Sequence, residues 1–583
     1  MALMTRLDRF VVATLVLLFA VLAVLAGLPA LPGEGSPASA GPSPSGPGLA
    51  EPRPYREGLV GRATSVSPFS AHSQADRDLV ALVFSGLVRN GPDGFVVPDL
   101  AKRWSVDPSG AIWTFELRSD ARWQDGEPVT AEDVAFTIRT LQDPSYAGPG
   151  AGSWQDVTVE TRGDLTVVFT LSTPLGGFLQ AATQPIAPAH LLAGIPADQL
   201  AGGPFGRQPI GSGPFALVSL ADGGAELRPA NGLLPIENPT ASPSPLTTDS
   251  LVSPAPTVRP GGPIPYLTGI EFRFFDDMDA LVAAYRRGDL DAASGLPADT
   301  INQLASSTGS RILRYPGSTL TAVLVNLRPG AHAFATPALR TALLQAINRP
   351  ALIDRVFASA ASAASGLIPS SSVLFDASAA GAVAYDPAAA QKALKAAGWT
   401  KVANAWRRPA SRTPFAFELL SPDLASNPAA FAAAEAVVAD WKRIGLQVTH
   451  LALPPAEFVT GRLAKGAFAV AVADVTIGLD PDLYPLLASS QTLTGGSNII
   501  GLQDPALDKL LVAARKPGTV EARRAAYAAL QVQLAKGRYV LPLAFADESI
   551  IVRDTVVGPV PRQVADPSER FWDVLTWRLA ADR

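Results

Sequence analysis

The sequence predicts an α/β protein carried behind an apolar N-terminal segment, on three observations. Apolar residues make up 48% of the 583 and charged residues only 17%, so there is apolar surface for several cores. Strand-period and helix-period stretches alternate from Trp113 to Arg553. Phe10 to Leu28, 19 residues, is apolar apart from Thr14 and Gly27 and is long enough to cross a bilayer as a helix.

Arg6 and Arg9 precede that run, and no Lys or Arg follows before Arg53. The charge asymmetry keeps residues 1–9 in the cytoplasm and sends the rest outside. Ala38-Ser39-Ala40 offers a small-residue cleavage site, so 10–28 reads as an uncleaved anchor or as a removed signal. A buried soluble helix is the plain alternative. Residues 29–54 are rich in Pro, Gly, Ser and Ala and read as a spacer without a core of its own.

The elements then follow in order. Trp113, Phe115 and Leu117 alternate with polar residues, as in a half-buried strand. Asp125-Gly126 is a turn, and Thr130 caps a helix whose apolar face is Val134, Ile138 and Leu141. Val157 to Leu171 reads as two strands around Gly163-Asp164, Ile270 to Phe274 as another, and Ala280 to Arg287 as a helix stopped by Gly288. Ala322 to Leu327 is a strand. Thr336-Pro337 opens a helix through Asn348, Asp386-Pro387 one closed by Gly398, and Asn427-Pro428 a long one ending at Gly445. Leu446–Leu453 and Phe468–Val475 are strands, Asp504-Pro505 and Thr519 open two long helices, and Val540–Ala546 and Ile550–Arg553 close the pattern as strands. One stretch departs from it: 231–265 carries nine prolines and three charges and reads as a long surface loop or disordered insertion, inert or a recognition ligand.

Composition and motifs exclude much. The net charge of −5 argues against a generic nucleic-acid binder. The absence of cysteine excludes disulfides, thiolate metal sites, iron–sulfur clusters, cysteine nucleophiles and thiol-linked lipid anchors. There is no Gly-x-Ser-x-Gly elbow, Walker A sequence or His-Glu-x-x-His, and His72, His190, His332 and His450 are far apart in sequence. Gly211-Ser212-Gly213-Pro214-Phe215-Ala216 imitates a dinucleotide fingerprint, but Pro214 and the following Leu217-Val218 point to turn-then-strand, which lacks the helix N-terminus a pyrophosphate needs. No enzyme, cofactor or metal site is expected.

Several stretches together resemble family 5 of the bacterial solute-binding proteins, the oligopeptide- and dipeptide-binding type that serves ABC importers. They are Asp78 to Leu87 with Pro98-Asp99-Leu100-Ala101 and Trp104; Trp113 to Arg118; Trp123-Gln124-Asp125-Gly126-Glu127-Pro128-Val129-Thr130-Ala131-Glu132-Asp133-Val134, the most specific; Gly211 to Phe215; Arg287-Gly288-Asp289-Leu290-Asp291; Leu339 to Arg349; and Lys395-Ala396-Ala397-Gly398-Trp399. The resemblance runs in order from about Tyr55 to the C-terminus. It implies a two-lobed periplasmic-binding-protein-like fold of type II, cluster C, with an additional domain. Lobe I would be 55–76, 186–305 and 540–583, with the insertion 231–265 inside it. The extra domain would be 77–185 and lobe II 306–539.

The resemblance also implies hinge closure over a ligand in the interlobe cleft, docking on a membrane permease served by a cytoplasmic ATPase, and a monomer. In peptide-binding members an aspartate of the second lobe pairs with the ligand's α-ammonium. The matching stretch is Ala473-Asp474-Val475-Thr476-Ile477-Gly478-Leu479-Asp480-Pro481, which makes Asp474 the first candidate and Asp480 the second. Phe69 and Ser70, in a loosely matching early segment, and Asn326, on the strand entering lobe II, are further candidates. Ala471 stands where oligopeptide binders often carry Trp, and Phe468 where an Arg is found, which points to a smaller or more apolar ligand. The lipid-anchor cysteine is missing, and the apolar helix stands in its place as anchor. Two functions fit this reading: delivery of a peptide or similar small solute to an importer, or a membrane-tethered sensor or scaffold on the same fold.

Overall fold

The computed structural model describes residues 53–580 except 93, 231–266, 330–333 and 493–495. The expected membrane segment 10–28, all of the linker but its last two residues, and the Pro-rich stretch 231–265 lie outside the described residues. Among the described residues no helix is long and apolar enough to cross a membrane.

Eleven strands form one mixed sheet. Its parallel pairs are those that a helix can connect. Ala416–Pro422 runs parallel to Gln447–Leu453, with the helix Pro428–Arg443 between them in sequence. Tyr55–Val60 lies between Ile270–Phe275 and Ala292–Ala293, parallel to both, and the helix Met278–Arg287 links these two. The interior strand Val470–Thr476 sits between Ala416–Pro422 and Ser310–Val325. Its first four residues are buried, as expected of an interior strand covered on both faces.

Two long antiparallel strands, Ser310–Val325 and Val540–Arg553, join the two ends of this sheet. Sequence signals placed only 322–327 of the first, and split the second in two. Pro316 and Gly317 interrupt the pattern of the first strand, and the ladder itself slips in register between Pro316 and Leu320. The partner strand carries the pairing past the slip, so one strand forms where local pattern gives a fragment. At Gly317 a β-carbon would stand 2.1 Å from the Ala546 carbonyl oxygen, so only glycine allows the two backbones this close.

A separate four-stranded antiparallel sheet is made of Ala101–Val106, Ile112–Leu117, Thr166–Leu171 and Val157–Thr161, with Trp113, Phe115, Trp154, Phe169 and Phe178 packed as one aromatic cluster. The helix Ala131–Gln142 begins where Thr130 places it, with the Asp133 carboxylate accepting from the Thr130 N–H at 2.7 Å. The helices opened by Asp-Pro and Asn-Pro start at Pro387, Pro428 and Pro505, each capped by the preceding side chain. The helix expected over 336–348 ends instead at Gln345, because Asn348 caps a second helix, Arg349–Phe357, with Pro350 in its first turn. Gly211 to Gly213 is a turn leading into the strand Phe215–Ala221. A β-carbon on Gly211 would meet the Val83 carbonyl oxygen at 1.9 Å, so this glycine serves close backbone approach and not phosphate binding.

Candidate functional site

Asp474 lies on the strand Val470–Thr476, opposite Thr321 of the long strand Ser310–Val325. The apolar residues before it are interior, and Asp474 is the first exposed side chain as the strand leaves the core. Its Oδ1 accepts from the Thr321 hydroxyl at 2.6 Å, and its Oδ2 accepts from Asn427 Nδ2 at 2.8 Å. Asn427 is fixed in turn, since its own Oδ1 caps the helix Pro428–Arg443 by accepting from the Ala430 N–H. Both donors are neutral. Among the described residues no ion pair reaches Asp474, and a carboxylate with two bonds still has lone pairs to offer.

The two acidic side chains that follow are different. Asp480 is ion-paired with Arg523 at 2.7 Å, both side chains being about nine-tenths buried, and Tyr527 donates to Oδ1 at 3.4 Å. Burial lowers the Arg523 pKa, but coulombic attraction to Asp480 and its hydrogen bonds outweigh that cost and raise it, so Arg523 stays charged. Asp480 also packs on Gly177, where a β-carbon would lie 3.0 Å from its carboxyl carbon. Beside it the Gly176 N–H donates to the Arg515 carbonyl at 2.6 Å. Asp482 is paired with Arg515 at 2.9 Å, and burial nonetheless pushes its pKa up. Of the three, Asp474 alone presents an unneutralised carboxylate.

Asn326 is buried with its hydrogen bonds made: Nδ2 donates to the carbonyls of Gly466 and Phe468, and Oδ1 accepts from the Arg328 N–H. Phe69 is fully buried and meets Phe136 and Tyr146 edge to face. Ser70 is buried and shares a hydrogen bond of 2.7 Å with the Ser65 hydroxyl. Thus Asp474 stands on the strand surface, Asp480 in an ion pair, and Phe69, Ser70 and Asn326 in packed, satisfied positions. No hydrogen bond or ion pair brings any two of the five together among the described residues. Ala471, at the position where oligopeptide binders often carry Trp, is wholly buried, and Phe468 nearly so.

A cavity of 570 Å³ opens elsewhere, with Pro68 and Ala71 in its wall; the two residues between them turn inward. Its lining residues come from 68–230 and 562–575, without Phe69 or Ser70, and none comes from 306–539, so none of the five expected residues faces it. The sequence reading missed its lining. It also missed Thr321 and Asn427 as partners of Asp474; Asn427-Pro428 signals a helix start, and nothing in it signals a second bond across 47 residues.

Comparison with known proteins agrees with this architecture. A family model described as bacterial extracellular solute-binding proteins, family 5 middle, matches residues 96–497. The Escherichia coli (strain K12) nickel-binding periplasmic protein is 25% identical over 523 residues, covering 85% of this chain and 90% of the relative. In fold, the chain is similar to the Listeria monocytogenes ABC transporter substrate binding protein CtaP, with a TM-score of 0.70 at 21% identity over 91% of this chain and 100% of that one. It is also similar to the periplasmic murein tripeptide binding protein MppA in its unliganded open form, with a TM-score of 0.72 at 21% identity over 92% of this chain and 99% of that one. With the family model spanning more than half its length, the chain belongs to family 5 of the bacterial extracellular solute-binding proteins, whose work is to bind a solute and not to transform it.

Proposed function

We propose that this protein is the extracytoplasmic binding component of an ABC importer, that it captures a peptide or similar small solute by closing two lobes over it, and that Asp474 holds the ligand's ammonium group. The observation that carries the last point is the carboxylate itself. It is exposed, oriented by Thr321 and Asn427, and free of any ion-paired cation among the described residues, whereas Asp480 and Asp482 are each neutralised by an arginine. A ligand cation supplies the charge that a carboxylate needs if closure is to remove it from water.

In this reading lobe I is 55–76, 186–305 and 540–583, the extra domain 77–185, and lobe II 306–539, an arrangement of the type II, cluster C kind. The two long strands are the hinge, and the register slip between Pro316 and Leu320 is where they bend. Residues 10–28 tether the protein outside the membrane as a monomer unless cleaved, and the closed form docks on a permease. The name of a murein tripeptide binding protein among the structural relatives supports a peptide ligand, and that of a nickel-binding protein supports a wider range of small solutes.

The test is native mass spectrometry of protein purified without denaturation, with a thermal-shift series of short peptides, nickel chelates and oligosaccharides. A co-purified small molecule, or a peptide that raises the melting temperature, supports the reading, since a ligand bound only by the folded state stabilises it. An empty protein that no class of solute stabilises sinks it.

A further inference from the structure

The 570 Å³ cavity lies among the helix Gln74–Val83, the strand Val88–Asn90 and the C-terminal segment 562–575. Its size falls within the range of about 300–1,000 Å³ typical of small-molecule pockets. Three arginines in its wall, Arg89, Arg122 and Arg562, take part in no ion pair among the described residues, and of these Arg122 is exposed to water while Arg89 is half-buried and Arg562 buried. Arg562 is only 7% exposed. Its Nη1 donates to the Gln563 carbonyl at 3.1 Å, its Nε has no partner, and its guanidinium rests 5.4 Å from the Trp572 ring centre. The Nε of Arg89 is buried without a partner as well.

The two cations feel each other. Burial lowers the Arg562 pKa, Glu569 and Asp573 raise it, and the Arg89 charge lowers it again. The other arginines of the wall are ion-paired or, in the case of Arg122, exposed and bonded to backbone carbonyls. Arg77 pairs with Asp566 at 2.8 Å and Arg118 with Asp120 at 2.9 Å, while Arg122 donates to the carbonyls of Ser119 and Ala121. Glu569 accepts from Asn90 Nδ2 and the Ala565 N–H, and burial raises its pKa. Asp99 is pushed up to about 6 by burial, against the pull of the Arg89 charge, with which it forms no ion pair. Asn90 Oδ1, also buried, has no donor. The two guanidiniums of Arg89 and Arg562, one half-buried and one buried and neither ion-paired, repel each other, and their planar forks match a carboxylate that would join them. Trp123 and Phe571 add apolar wall.

We propose that this cavity is a second binding site, for a small organic acid with an aromatic or apolar body, its carboxylate held between Arg89 and Arg562 and its body against Trp572. A hydroxyl or amide on the acid would give Asn90 Oδ1 its missing donor. Because nothing from 306–539 lines the cavity, this site stands or falls separately from Asp474.

The test is calorimetric titration of the full chain with 3-phenylpropionate, with tryptophan emission followed in parallel because Trp123 and Trp572 face the cavity. Neutral 3-phenylpropanamide and inorganic phosphate are the comparison probes. The proposal predicts saturable binding of the acid, weakened about tenfold or more in Arg89→Gln and in Arg562→Gln, unchanged in Asp474→Asn, and absent for the amide. If Arg562→Gln does not fold, the half-buried Arg89→Gln decides. No saturable binding at millimolar acid overturns it, as does equal affinity in the folded arginine variants, or loss in Asp474→Asn instead. Arginine-dependent binding of phosphate but not of the acid would overturn the organic-acid assignment.

Discussion

Replacing Arg570 with methionine removes the one cation from a buried cluster of two carboxylates. Arg570 is 3% exposed, and its partners Glu57 and Asp78 are 0% and 1% exposed. Its Nη1 and Nη2 donate to the two Asp78 oxygens at 2.7 and 2.6 Å, Nη2 donates to Glu57 Oε1 at 2.7 Å, and Nη1 donates to the Pro567 carbonyl at 2.9 Å. The cluster ties the C-terminal segment Pro567–Thr576 to the strand Tyr55–Val60 and the helix Gln74–Val83, elements far apart in the chain. Methionine fills the space but leaves both acids without a cation, a loss of roughly 3–5 kcal/mol at neutral pH.

The pH dependence sets this mechanism apart from simple loss of packing. Burial already raises the Asp78 pKa above 3.8 in the intact protein, while Arg570 pulls it down. Removing Arg570 raises it further. The folded variant then binds more protons than the unfolded chain over a window that starts near the ordinary carboxylate pKa and extends upward. Across that window stability falls as pH rises, by at most about 1.4 kcal/mol per pH unit for each extra proton held. The defect of the variant is therefore largest near pH 7 and shrinks toward pH 4. Urea unfolding of both chains, followed by tryptophan emission at several pH values, measures it. A defect below about 1 kcal/mol, or one that stays constant from pH 7 to pH 4, refutes the reasoning.

Four other outcomes are expected. Gly211→Ala places a β-carbon 1.9 Å from the Val83 carbonyl oxygen and should cost about 1–3 kcal/mol in the same assay. Gly317→Ala, at 2.1 Å from the Ala546 carbonyl oxygen, should alter lobe closure at the strand slip, read as a changed difference in radius of gyration on adding ligand. Asp480→Asn should lower stability by about 3 kcal/mol by stranding Arg523, with Asp480→Asn/Arg523→Gln recovering part of it; a fully additive double variant would show that the pair is not coupled. Phe69→Ala should cost about 3–5 kcal/mol through its lost contacts with Phe136 and Tyr146, while leaving peptide affinity of the folded variant unchanged.

The sequence made the local grammar legible. Thr130, Asp386, Asn427, Asp504 and Thr519 all cap helices where their spacing to the next apolar face says they should. Gly288 and Gly398 both end their helices at positive φ. Signals weaken where tertiary pairing decides. The strand Ser310–Val325 runs through Pro316 and Gly317 because Val540–Arg553 pairs on both sides of the slip. Asn348 reads equally as a helix interior or a cap until the fold supplies the second helix. For the candidate site, the sequence names Asp474 first and Asp480 second, but the partners that set the two carboxylates apart in the fold are not written in it. Asp480 meets Arg523 across 43 residues, and Asp474 meets Thr321 across 153, distances over which no local pattern constrains the partner.

The role of Asp474 is tested most directly by a cycle of two changes. A short peptide with a free α-amine and the same peptide N-acetylated are titrated into the wild-type chain and into Asp474→Asn. Because Asp474 is exposed and held by two neutral donors, Asp474→Asn should remain folded. The account predicts that acetylation weakens binding to the wild type by about tenfold or more and makes little further difference in Asp474→Asn, since both changes remove the same charge-assisted contact. Equal loss on acetylation in the two chains, or wild-type affinity indifferent to acetylation, would contradict it.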